Sequence, residues 1–311
     1  MTAFHRRLIA VIFLLAGALS IQAPAQARAD EAALIKDGAG RFLFKDPKTA
    51  AGKTVPVWYY RPKGFTPDTP ILFVMHGVKR NADEYRDNWI DLADQDGLLI
   101  VAPEFSKKTF PRSWAYNLGN VMRPDGTDGA LVPTPEKDWS FPIIDRIFEQ
   151  VRRSTGSRCT TFSIFGHSAG AQFVHRYLTF TGGPKVDIAI SANAGWYTLP
   201  TDSETFPYGL GQTQLSPDRL KAAFAKKLVI LLGDMDIVQD ANFRMTPEAM
   251  RQGPTRLDRG RFYFAAAKRA AEKLGAPLDW RIVIVPDIGH DNAKMAGTAA
   301  QIIQEAGRGG H

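Results

Sequence analysis

Ser168 stands at the centre of Gly166-His167-Ser168-Ala169-Gly170, a Gly-x-Ser-x-Gly pentapeptide. An apolar, β-prone run (160–165) enters it and a helix-compatible run (172–180) leaves it. A serine hydroxyl is a weak nucleophile until its proton and its geometry are managed. A sharp strand-to-helix turn lifts the hydroxyl above a sheet, and glycines on both sides let the backbone pass without Cβ clashes. The helix that follows aims its unpaired amides at developing negative charge. Such a serine also needs a base, and a carboxylate to orient that base. Asp234, Asp236 and Asp240 follow one later apolar run, and His290 follows another, in Ile288-Gly289-His290-Asp291. The plainer reading of the pentapeptide is a structural turn with a capping serine; its strand-turn-helix setting argues against that.

The elements that must position these residues are legible as apolar runs. Runs at 71–75, 97–102, 159–165, 186–191, 228–232 and 280–285 predict strands buried on both faces. Between them, 81–94, 141–153, 172–180, 261–274 and 292–306 predict helices. In 141–153, Ile143, Ile144, Ile147 and Val151 share one face. Residues 54–60 (TVPVWYY) alternate and predict the edge strand of an opening hairpin, closed by Arg61-Pro62-Lys63-Gly64. Residues 30–50 predict a polar lead-in, and 307–310 a frayed tail. Apolar strands alternating with helices give an α/β fold whose mostly parallel sheet is covered on both faces. Chemistry gathers at the carboxyl ends of such strands. His76-Gly77, Ser168, Asp236 and His290 all follow strand ends. Two long stretches, 104–140 and 196–222, leave the sheet at that edge and predict a partial lid. Their aromatics Trp114, Tyr116, Trp196 and Tyr197 are the candidate substrate-binding wall, with simple packing as the alternative for each.

A chain of 311 residues with 44% hydrophobic residues can bury one large core, and no linker, repeat or long charge run divides it. Its first 29 residues read as a secretory signal: Arg6 and Arg7, an apolar stretch over 8–21, then Ala27-Arg28-Ala29. The apolar stretch is short for a membrane span, and no later one approaches the length required. The mature product, 30–311, is expected to be a single exported domain, periplasmic or secreted, with no stable membrane span. Loss of the leader removes three arginines and no acid, lowering the formal charge from +7 to +4. The remaining basic pairs are scattered without interleaved aromatics, which argues against nucleic acid as a partner. One cysteine, Cys159, cannot form an internal disulfide and reads as a small core residue. A metal reading of Asp234, Asp236 and Asp240 lacks the glycine and terminal glutamate of a calcium loop. No metal and no cofactor is expected.

The order Ser168…Asp236…His290, with the pentapeptide on a strand-to-helix turn, resembles the α/β-hydrolase superfamily. Within it the chain is similar to secreted esterases grouped with polyhydroxybutyrate depolymerases and feruloyl esterases. That resemblance implies a Ser168–His290–Asp236 triad, with Asp234 as the alternative acid and Asp240 a remote third. His290 is left as the base because His311 lies on the tail, His175 inside the helix and His167 beside Ser168, while His76 belongs to the oxyanion loop. The resemblance further implies an oxyanion hole from the N–H groups of Ala169 and Val78. The implied activity is hydrolysis of a small or polymeric carboxylic ester, a hydroxyalkanoate or an aromatic acyl ester, through an acyl-enzyme. Two alternatives stand beside it: a serine peptidase of the prolyl-oligopeptidase type, and a non-catalytic binding protein on the same fold. The first usually carries a large N-terminal propeller, and the second generally lacks a triad member.

Overall fold

The computed structural model describes residues 34–48, 53–125 and 130–308, so the expected leader lies outside the described residues. Eight strands form one sheet: β1 (Gly38–Lys45), β2 (Thr54–Arg61), β3 (Ile71–Met75), β4 (Leu99–Pro103), β7 (Phe162–His167), β8 (Val186–Ala192), β9 (Lys227–Gly233) and β10 (Trp280–Val285). Their order is β1-β2-β4-β3-β7-β8-β9-β10. From β4 to β10 every neighbour pair is parallel, and β1 and β2 add an antiparallel margin. A short ribbon, β5 (Met122–Pro124) with β6 (Leu131–Pro133), stands apart. This is the α/β architecture that the apolar runs predict.

The strands β3 and β4 are buried at every position because both faces are covered. In β3, Ile71, Phe73 and Met75 enter one apolar layer, and Leu72 and Val74 enter the other. The first layer is closed by α3 (Ile143–Thr155), α4 (Ala169–Thr181), α5 (Pro217–Phe224) and α7 (Arg256–Lys273). The second is closed by α1 (Ala82–Asp87), α2 (Ile90–Asp96) and α8 (Asn292–Arg308). A further short helix, α6 (Pro247–Gln252), leads into α7.

Four features differ from the sequence reading. The lead-in contains β1, whose Phe42 and Phe44 point into the core, so 54–61 pairs on both sides and β1 is the edge. The helix expected over 81–94 is two helices, broken where Trp89 turns inward and packs on Phe165, with ring centroids 5.1 Å apart. The helices α5 and α6 lie where the apolar runs predict no helix. Each starts with a capping hydroxyl and a proline: Ser216 accepts from the Arg219 N–H, and Thr246 from that of Ala249. Finally α7 begins at Arg256, five residues before the expected start, behind a Thr255 cap.

Candidate active site

The turn at Ser168 is the tightest backbone feature of the sheet edge. Ser168 has φ 58° and ψ −116°, a conformation that L-residues rarely adopt, between the end of β7 and the first residue of α4. Both motif glycines are sterically required. A Cβ on Gly166 would collide with the Gly170 carbonyl, and a Cβ on Gly170 with the Met75 carbonyl of β3. The Ser168 N–H is held by the Ala192 carbonyl of β8 at 3.0 Å. Ala169 opens α4, so its N–H has no partner within the helix.

His290 follows β10, and its Nδ1 lies 2.7 Å from Oδ2 of Asp236, which is 2% exposed. Asp234 makes no such contact; one of its carboxylate oxygens is buried without a partner. Asp240 instead accepts from Arg256 on both carboxylate oxygens and from the Asn242 N–H at 2.8 Å. The loops after β9 and β10 are laced together through backbone groups. Met235 N–H donates to the Ile288 carbonyl at 3.1 Å, and a Cβ on Gly233 would strike that same oxygen. Asn193, after β8, completes the lacing: its Oδ1 accepts from the Gly233 N–H at 2.9 Å and its Nδ2 donates to the Gly289 carbonyl at 3.1 Å. The sequence reading passed over Asn193 and Arg256. An asparagine at φ 51° just past a strand end is the local sign of the first. The capping pair Thr255 and Asp258 is the sign that a helix starts at the second.

The remaining histidines are accounted for by burial. His76 is wholly buried; its Nδ1 donates to the Gly77 carbonyl at 3.1 Å and its Nε2 accepts from the Phe105 N–H at 3.0 Å. Burial pulls it down to about 3, so it is a neutral strut between the 76–78 turn and the 104–140 segment. His167 is also held well below its ordinary value, chiefly by burial and then by His290, whose ring centroid is 4.5 Å away. His175 lies inside α4, where burial keeps it neutral and its Nδ1 donates to the Ala171 carbonyl. Val78 is exposed on the turn after β3, beside Ser168.

Ser168 and His290 open on a cleft of about 310 Å³ whose lining includes Val78, Lys79, Asn81, Tyr85, Asn242 and Asn292. A larger cavity, about 530 Å³, lies between α7 and residues 199–204 and shares no lining residue with the Ser168–His290 cleft. None of the expected wall residues lines the catalytic cleft. Tyr116 is fully buried, stacked near Phe105 and Phe173, with its hydroxyl donating to the His76 carbonyl at 2.6 Å. Tyr197 stacks on Tyr263 at 4.4 Å, Trp196 lies between Arg176 and Arg244, and Trp114 packs half-buried on the same core. All four rings are engaged in packing contacts away from the cleft, as the packing alternative has it.

Two solved structures match the chain over most of its length. Poly(aspartic acid) hydrolase-1 from Sphingomonas sp. KT-1 is 42% identical, with a TM-score of 0.81 over 86% of this chain and 99% of that one. LpqC, a poly(3-hydroxybutyrate) depolymerase from Bordetella parapertussis, is 37% identical, with a TM-score of 0.81 over 88% and 94%. The chain belongs to the α/β-hydrolase esterase family. More distant members share the fold alone, among them an S-formylglutathione hydrolase from Agrobacterium tumefaciens at 13% identity, TM-score 0.54, over 88% and 96%. No family model matches the chain, and no curated protein matches it. As a member of this family the chain is a hydrolase. Among the described residues no helix is long and apolar enough to cross a membrane.

Proposed function

We propose that this hydrolase is exported and cleaves carboxylic esters through an acyl-enzyme on Ser168. The observation that carries the reading is the 2.7 Å contact of His290 Nδ1 with Asp236, with His290 and Ser168 lining one cleft. With Nδ1–H donated to Asp236, Nε2 is the lone-pair nitrogen and takes the Ser168 proton as Oγ attacks the ester carbonyl. The N–H groups of Ala169 and Val78 receive the oxyanion. Collapse breaks the carbonyl–alkoxy bond, and the imidazolium protonates the departing alcohol. A water deprotonated by His290 then adds to the acyl carbonyl, and the acid leaves as Ser168 recovers its proton.

A hydroxyalkanoate polyester or oligomer is the favoured ester, in keeping with the depolymerase relative. Val78, Met235, Ile237 and Val238 are exposed on the two loops that carry the oxyanion turn and Asp236, an apolar margin suited to an aliphatic chain. A second reading, hydrolysis of poly(aspartic acid), draws on the 42% identical relative and on Lys79, a cation in the lining of the cleft. Retention of all three triad residues argues against a binding protein.

The test is fluorophosphonate labelling together with rates on nitrophenyl esters of rising acyl length, methyl ferulate, a hydroxybutyrate oligomer and poly(aspartic acid). We expect one label per chain, on Ser168, abolished in Ser168→Ala with turnover reduced at least about 10³-fold. Labelling that survives in Ser168→Ala would overturn the nucleophile. Turnover of poly(aspartic acid) without turnover of any ester would install the second reading.

A further inference from the structure

Arg256, the first residue of α7, is 2% exposed. Its Nη2 donates to both oxygens of Asp240 at 2.9 Å. Its Nη1 donates to the Val238 carbonyl at 3.2 Å and to Oδ1 of Asp236 at 3.3 Å. The guanidinium lies over the Phe243 ring, 5.3 Å from its centroid. One side chain thus grips residues 236, 238 and 240, alternate positions of a loop with no regular structure. A buried cation is costly unless it is paired and hydrogen-bonded, and here two carboxylates share it.

We propose that Arg256 is the positioning residue of this active site, a clasp that fixes the Asp236 carboxylate toward His290, with Asp240 as the outer tether of the clasp. The inference rests on Asp236 and His290 acting as acid and base, as read above. A carboxylate on a side-chain torsion with two broad wells can swing away from its partner. Arg256 occupies Oδ1 from the α7 side, which leaves Oδ2 as the oxygen that meets His290 Nδ1. The planar fork is what allows one residue to span two carboxylates; a lysine has a single charged point and cannot. The neighbours from other elements make no rival bond to Asp236. Tyr197, after β8, has a hydroxyl without a partner, and His167, at the end of β7, is a buried neutral ring. Arg259, one turn along α7, is committed to the Gly195, Gly253 and Arg244 carbonyls.

The test measures kcat and KM on a soluble nitrophenyl ester, per active site titrated with a phosphonate, for Arg256→Gln, Arg256→Lys and Asp240→Asn. Proton NMR of the deshielded His290 Nδ1–H and melting temperatures accompany the rates. We expect Arg256→Gln to lower kcat per titrated site about 10²-fold, with KM within about twofold and the Nδ1–H resonance lost, because misplacement on the ångström scale costs that much. Arg256→Lys should recover part of the loss, and Asp240→Asn should show a smaller fall of the same kind. A merely structural arginine would lower the melting temperature and the number of titratable sites while each remaining site turned over at the parent rate, and that result overturns the proposal. Should Arg256→Gln not fold, Asp240→Asn decides: an unchanged rate per site with an unchanged resonance overturns the clasp. His290→Ala separates the two levels. Full turnover there removes the acid–base reading itself, whereas an inactive His290→Ala beside an unaffected Arg256→Gln removes only the clasp.

Discussion

Among single residues, the sharpest discrimination is between two aspartates separated by one methionine. Asp236 reaches His290, while Asp234 spends its backbone N–H on the Val285 carbonyl and leaves a carboxylate oxygen unpartnered. Asp236→Asn should lower kcat on the order of 10³–10⁴-fold, because an amide there can hold the imidazole in the wrong tautomer. Asp234→Asn should stay within about tenfold of the parent, and equal losses in the two variants would refute the assignment of the acid. The places of Ser168 and His290 just past strand ends were legible in the sequence because a strand end followed by a Gly-containing turn is a local signal. The choice between the two acids rested on a family resemblance, since both lie within the reach of one loop. Arg256 and Asn193 were not legible, because their partners lie 20 and 40 or more residues away and only the packed sheet edge brings them together.

For the elements, apolar runs located the strands within three residues, since a strand buried on both faces has no room for polar residues. What escaped was structure specified by caps and pairing. The strand β1 buries only Phe42 and Phe44 and pairs only with β2, and α5 and α6 depend on Ser216-Pro217 and Thr246-Pro247 more than on hydrophobic periodicity. The long aromatic segments were expected over the cleft, yet their rings are anchored inward, Trp196 by two guanidinium groups. Trp196→Ala should therefore behave as a core truncation, costing about 3–5 kcal/mol of stability. The ratio of acetyl to longer-acyl ester rates should hold while the melting temperature drops by several degrees. A reordered acyl preference at an unchanged melting temperature would return Trp196 to the substrate wall.

For the whole molecule, three wholly buried histidines, His76, His167 and His175, tie stability to pH. Burial lowers all three, His76 to about 3, so each is neutral when folded across the mildly acidic range. The unfolded chain protonates them near pH 6.5, which favours unfolding once the pH drops below that value. Their contribution is whole above about pH 6.5 and drains as the pH falls toward the folded values, by up to about 1.4 kcal/mol per unit for each ring. Urea midpoints measured at pH 7, 6, 5 and 4 should fall with increasing steepness, and a flat series would contradict the neutral burial of these rings. The sheet order carries a different consequence. Ser168 leaves β7, flanked by β3 and β8, but His290 is delivered by β10, the outermost strand, paired on one side only. Border strands open at lower free energy than interior ones. On the proposed triad, mild urea should therefore displace His290 before the turn at Ser168 unfolds, so that activity is lost ahead of the global transition and returns on dilution.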